Sequence, residues 1–166
     1  MIGPTVVIGI GNRFRRDDGA ALRVIEMLKD RVPASVLLVE SDGEPTRLID
    51  SWTDVELAVV VETVRRGDPP GTVAAVEWEG WTGASATTHQ EHGSHSLGVL
   101  EAIALGDAVG RVPGRLRLIG IEPEDLGWGE GLTLQVARGT ERAARIVLDY
   151  LCATPPPSEV SGRTTR

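Results

Sequence analysis

The chain has 166 residues, with 24 Asp and Glu against 17 Lys and Arg, a net charge of -7 and a single cysteine, Cys152. That length suits one domain, burying roughly 70% of its unfolded surface without disulfides. The acidic balance opposes a nucleic-acid binder, and one cysteine excludes both a disulfide framework and a thiolate metal cage within the chain. With no charged leader before an apolar core, and no apolar stretch of about 18 residues, the expectation is a soluble cytoplasmic protein with no membrane partner.

The first apolar run, residues 5–10, has the length and branched composition of a parallel strand buried on both faces. It leads into a turn where Gly9 and Gly11 let backbone approach backbone or a ligand. Two readings compete for this turn. A dinucleotide loop places a third glycine where Phe14 stands, which argues against it, while Arg13, Arg15 and Arg16 leave a phosphate contact open. Asp17 or Asp18 can cap a following helix on which Ala21, Val24, Ile25, Leu28 and Val32 recur at helical spacing. Only one cap is needed, so the second carboxylate is left unexplained.

Further apolar runs at residues 36–39, 57–61, 73–76 and 116–121 alternate with helical patterns. This predicts an α/β fold: a single three-layer domain with a twisted, mostly parallel five-stranded sheet flanked by helices. A second helix starts near Pro45 and carries Leu48, Ile49 and Trp52. The turn at residues 65–71 is too short for a crossover helix, so the fourth strand is expected as an antiparallel neighbour. A third helix opens after Ser94 or Ser96, with Leu97, Leu100, Ala104 and Ala108 marking it. The last runs from Thr133 to about Leu151, with Val136, Ala143, Ala144, Val147 and Leu151 inward. The domain spans residues 1–153, and the Pro-, Ser- and Thr-rich residues 154–166 read as a disordered tail.

Carboxylates stand at the ends of several runs: Asp17 and Asp18, then Glu40, Glu62 and Glu122. In an open α/β sheet, C-terminal strand ends border one crevice, so these scattered groups can share a site. Taken singly, each also reads as a solvated strand end or a cap partner. All three histidines, His89, His92 and His95, lie in a polar stretch before the third helix. His89 and His92 read as exposed, whereas His95, at a helix start, can face the crevice. One imidazole with two carboxylates suits a divalent first-row cation with open positions. No Gly-x-Ser-x-Gly elbow occurs, and Cys152 reads as an incidental helix-end thiol. Trp78, Trp81 and Trp128 are read either as core or, for Trp128 in its glycine-rich loop, as a rim for a protein partner.

Four segments, in order, resemble the maturation endopeptidases of nickel-iron hydrogenases over about residues 5–150. They are Gly9-Ile10-Gly11-Asn12 with Asp17-Asp18-Gly19, Val59-Val60-Val61-Glu62-Thr63-Val64 with Pro70-Gly71-Thr72-Val73, Ser94-His95-Ser96-Leu97-Gly98, and Gly120-Ile121-Glu122-Pro123 with Gly129-Glu130-Gly131-Leu132-Thr133. The resemblance implies an enzyme that removes a C-terminal extension from the hydrogenase large-subunit precursor after nickel insertion. Carried over by motif, its metal-binding residues fall on Asp18, Glu62 and His95. The family usually has Asp where this chain has Glu62, whose extra methylene moves the oxygens by roughly one C–C bond length.

On that resemblance nickel is expected as the recognition element, carried by the substrate, with other divalent metals open. Asp18 is expected as general base with Asp17 in reserve, and Gly9, Gly11, Asn12, Glu40, Glu122 and Trp128 as substrate contacts. Three other readings remain: a nonproteolytic metal-sensing maturation or scaffold protein, a nucleotide-binding module, and a general metallohydrolase.

Overall fold

The computed structural model describes residues 4–78 and 94–153, with the side chains of residues 94–97 outside that description. His89, His92, Trp81 and the tail at residues 154–166 therefore lie outside the described residues. The elements in chain order are β1 (Thr5–Ile10), a 3-10 turn (Arg16–Gly19), α1 (Ala20–Leu28), β2 (Val36–Ser41), α2 (Pro45–Trp52), β3 (Leu57–Thr63), β4 (Val73–Trp78), α3 (Ser94–Ala108), β5 (Arg115–Ile121) and α4 (Leu134–Ala153).

Every residue of β1 and of β3 is buried, because each runs between two strands and beneath helices on both faces. The strand order is β2-β1-β3-β5-β4, and all neighbours are parallel except β4 and β5. The fourth strand is thus antiparallel as expected, but β5 is inserted between it and the strand it follows. Side-chain alternation splits the core into two layers. Val7, Val59, Val61, Ile119 and Ile121 pack with α1 and α4, whereas Val6, Ile8, Ala58, Val60 and Leu116 pack with α2 and α3.

Some expected helix faces are corrected. Helix α1 ends at Leu28, so Val32 lies beyond it in the connecting loop, though still packed on the core. Val32 precedes Pro33, a position that disfavours helical backbone. On α3 the buried residues, among those whose side chains are described, are Val99, Ala102, Ile103 and Gly106, while Ala104 and Ala108 are exposed. This helix is apolar nearly all round, so spacing alone cannot choose its inner face. The face is selected at Gly98, where a Cβ would run into the Gly43 carbonyl. Helix α4 buries Val136, Ala143, Ala144 and Val147 as expected, with Leu151 only partly covered.

The sheet's exposed edge is fastened to α4 by Glu77 on β4. Its carboxylate accepts hydrogen bonds from Arg115 Nη2 at 3.0 Å, Arg117 Nη1 at 3.2 Å and the Tyr150 hydroxyl at 2.9 Å. Burial works to raise the Glu77 pKa, but the hydrogen bonds from Tyr150 and Arg115, with the Arg115 charge, outweigh it and hold the carboxyl below its ordinary value. The resulting stabilisation is complete above the unfolded glutamate pKa of about 4.3 and is lost as pH falls through the lowered folded value. Acid denaturation followed by circular dichroism should show a shallower loss of stability in Glu77→Gln than in the wild type below that pH.

Candidate active site

The chain leaves β1 through Gly11, where a Cβ would collide with the Asp18 carbonyl. That carbonyl accepts the Asn12 N–H at 3.3 Å, and Asn12 Oδ1 accepts the Phe14 N–H at 2.9 Å, so residues 12–18 close into a compact loop. Gly9 has a packing role: a Cβ there would lie 2.6 Å from Ile25 Cγ1 and 2.7 Å from the Ala21 carbonyl, so its absence lets α1 ride against β1.

Neither aspartate caps α1, correcting that expectation: Gly19 stands at the N-cap and no side chain bonds the helix end. Asp17, fully buried, reaches instead across to the loop after β5. Its Oδ2 accepts the N–H groups of Glu124 at 3.0 Å and Asp125 at 2.8 Å, and its Oδ1 accepts the N–H of Thr133 at 2.8 Å. The Thr133 hydroxyl shares its one proton between the two oxygens, at 3.2 and 3.0 Å. A carboxylate so committed is a tether for residues 124–133, and its acceptor sites are not directed at a substrate.

Asp18 is 2% exposed, and its Oδ1 accepts a hydrogen bond from the Thr63 hydroxyl at 3.2 Å. Thr63 ends β3 on the face that carries Val59 and Val61. Glu62, 6% exposed, is one residue earlier on that strand and belongs to the opposite face, with Ala58 and Val60. Helix α3 packs on that same face through Val99, Ala102 and Ile103, with His95 in its first turn. The His95 imidazole lies outside the described side chains. Among the described residues there is no group of three or more His, Cys, Asp or Glu able to hold a metal.

The remaining expected contacts divide by what they touch. Glu122 accepts the N–H groups of Arg66 at 2.8 Å and Gly67 at 3.3 Å, bracing the turn after β3. Glu40 is ion-paired with Arg13 at 2.8 Å on the wall of an open groove of about 450 Å³. Gly11, Asn12 and Phe14 line the same groove. Trp128 is 79% exposed. Thr63 and Thr133 were not singled out as site residues by sequence reasoning. The available signal was a hydroxyl next to each marked segment, one directly after Glu62 and one closing the glycine-rich loop.

No helix among the described residues is long and apolar enough to cross a membrane. A sheet of this order, with buried acids at the C-terminal ends of β1 and β3, defines an α/β protein with a crevice site. The hydrogenase maturation protease (HycI) family model matches residues 22–150. The hydrogenase expression/formation protein HoxM of Azotobacter vinelandii is 30% identical over 158 residues, 91% of this chain and 74% of that protein. HupD of Thiocapsa roseopersicina, with the same description, is 30% identical over 152 residues, 88% and 66% of the two chains. This chain therefore spans about two thirds to three quarters of the length of these curated relatives. Among solved structures, the hydrogenase-maturating endopeptidase HybD from E. coli superposes with a TM-score of 0.78 at 24% identity, covering 92% and 93% of the chains. The hydrogenase 2 maturation peptidase from Thaumarchaeota archaeon SCGC_AB-539-E09 gives 0.67 at 26% identity, covering 89% and 97%. The chain belongs to the hydrogenase maturation protease family.

Replacing Asp17 by Ala leaves three loop N–H groups without their acceptor. The expected cost is about 2–4 kcal/mol in urea denaturation, with hydrogen exchange accelerated first at Glu124, Asp125 and Thr133.

Proposed function

We propose that this chain is an endopeptidase that removes the C-terminal extension of a nickel-iron hydrogenase large-subunit precursor, and that nickel already seated in the precursor is what it recognises. The single observation that carries the reading is the buried Asp18 carboxylate, held by Thr63 beside Glu62 at the strand ends of a hydrogenase maturation protease fold.

Hydrolysis needs a base for water and a donor for the leaving amine. Asp18 takes a proton from the water whose oxygen adds to the scissile carbonyl carbon. It returns that proton to the amide nitrogen as the C–N bond breaks, releasing an acid and an amine. The Thr63 hydroxyl fixes the orientation of the Asp18 carboxylate through its bond to Oδ1. Asp17 supports the site by holding residues 124–133 against it and takes no proton in this scheme.

Glu62 and His95 supply the remaining donor types, a carboxylate from β3 and an imidazole from the first turn of α3. With Asp18 they form an oxygen and nitrogen donor set suited to a divalent first-row cation presented by the substrate. Nickel in this scheme is part of the substrate. Its contact makes cleavage conditional on correct loading of the precursor.

The test is to incubate the protein with nickel-loaded and nickel-free precursor and follow intact masses. Loss of a C-terminal peptide from the loaded form alone is the expected result, and Asp18→Asn should slow it on the order of a hundred- to ten-thousandfold. Cleavage of both forms removes nickel as the recognition element. Binding without cleavage of either form replaces the endopeptidase by a nonproteolytic maturation partner.

A further inference from the structure

The groove of about 450 Å³ lies between the turn after β1, the end of β2 and helix α2. It is continuous with the Asp18 turn: Gly11 and Asn12 line it, and the Asn12 N–H is the group bonded to the Asp18 carbonyl at 3.3 Å. Its walls are tied together. The Gly11 N–H donates to the Ser41 carbonyl at 3.0 Å, joining the turn to the end of β2. Just beyond β2, the Gly43 carbonyl lies against Gly98 of α3, the helix that begins with His95.

Three apolar side chains line the groove. Leu22, in the first turn of α1, is only 6% exposed yet belongs to neither layer of the core. Val39 is half-buried, and Phe14 is 57% exposed. The charged lining residues are two of each sign, with Arg13 paired to Glu40 at 2.8 Å and Arg47 to Asp42 at 2.7 Å. The groove lining thus carries no net charge, on a chain whose net charge is -7. A charged side chain entering it loses hydration with no net attraction in return. An apolar one takes its own surface and that of Leu22, Val39 and Phe14 out of water.

We propose that this groove is a specificity subsite, seating one uncharged apolar side chain, branched aliphatic or aromatic, of the precursor segment next to the scissile bond. The occupant follows from continuity, since a polypeptide lying across the Asp18 turn meets Gly11 and Asn12 and enters the groove. The proposal rests on the endopeptidase reading for its substrate and adds the residue type that substrate presents. Leu22, Val39 and Phe14 act in binding and touch no reacting atom.

Ser51 lines the groove from α2 and is only partly buried, so Ser51→Phe places a ring there without disturbing the core. The experiment measures processing of nickel-loaded precursor over a range of concentrations by wild type, Ser51→Phe and Phe14→Ala, with folding checked by circular dichroism. It is repeated with precursors in which each residue flanking the scissile bond is changed in turn to Ala or Asp. Ser51→Phe should raise KM about tenfold with a much smaller change in kcat. At one flanking position Ala should raise the wild-type KM several-fold and Asp more, and both effects should shrink in Ser51→Phe, where the groove is already filled. Phe14→Ala, which only removes an exposed ring, should show the same coupling and decides the matter if Ser51→Phe does not fold. An unchanged KM in a folded Ser51→Phe, or no flanking position coupled to either variant, overturns the subsite; an altered oligomeric state at unchanged KM assigns the groove to a second copy of this chain instead. If wild type binds precursor without cleaving it, the endopeptidase reading fails separately. Titration of the same variants against the same precursors then decides the subsite, coupled affinity losses supporting it and uncoupled affinities refuting it.

Discussion

The site depends on one buried carboxylate satisfied entirely by the loop it holds. Asp17 accepts three backbone N–H bonds and a threonine hydroxyl, all from residues 124–133. Placing a carboxylate at zero exposure costs several kcal/mol unless it is fully bonded. The loop's N–H groups need acceptors for the same reason. Each component therefore requires the other, and the segment bearing Trp128 is fixed relative to the turn bearing Asp18. The position of the second acid follows from that of the first.

Two adjacent residues of one type consequently serve different ends. Asp17 is enclosed by donors from a distant loop, whereas Asp18 meets the Thr63 hydroxyl at the end of β3. The next pair repeats the division. Glu62 and Thr63 are consecutive on one strand, so pleating assigns them to opposite layers of the core. Thr63 belongs to the α1 and α4 side and secures Asp18, and Glu62 belongs to the side where α3 begins with His95. Chemistry at the sheet end thus draws on both layers through a single strand.

The strands were legible because fully buried β1 and β3 read as unbroken branched apolar runs. The second helix was legible because Pro45 and the spacing of Leu48, Ile49 and Trp52 agree. The α3 face was not, since Ala104 and Ala108 match the same period as Val99 and Ile103, and contacts with the α2 layer make the choice. Asp18 and Glu62 were found at strand ends, where topology gathers polar groups. The role of Asp17 was hidden because its partners lie more than a hundred positions away, at Glu124, Asp125 and Thr133. The packing role of Gly9 was hidden for a related reason: the lack of a Cβ serves ligand approach and helix packing alike, and the contacts with Ile25 and Ala21 appear only in the fold.

The bond from Thr133 to Asp17 spans 116 positions. Closing so long a loop carries an entropic cost that early, local folding does not recover, so this contact belongs among those that form late. Residues 124–133 reach the turn after β1 from the end of β5, which lies between β3 and β4. A chain emerging from the ribosome, or one cut short before Thr133, has the Asp18 turn without its supporting loop. Proteolytic competence in this architecture is therefore tied to completion of the fold, which guards other polypeptides against an unfinished enzyme.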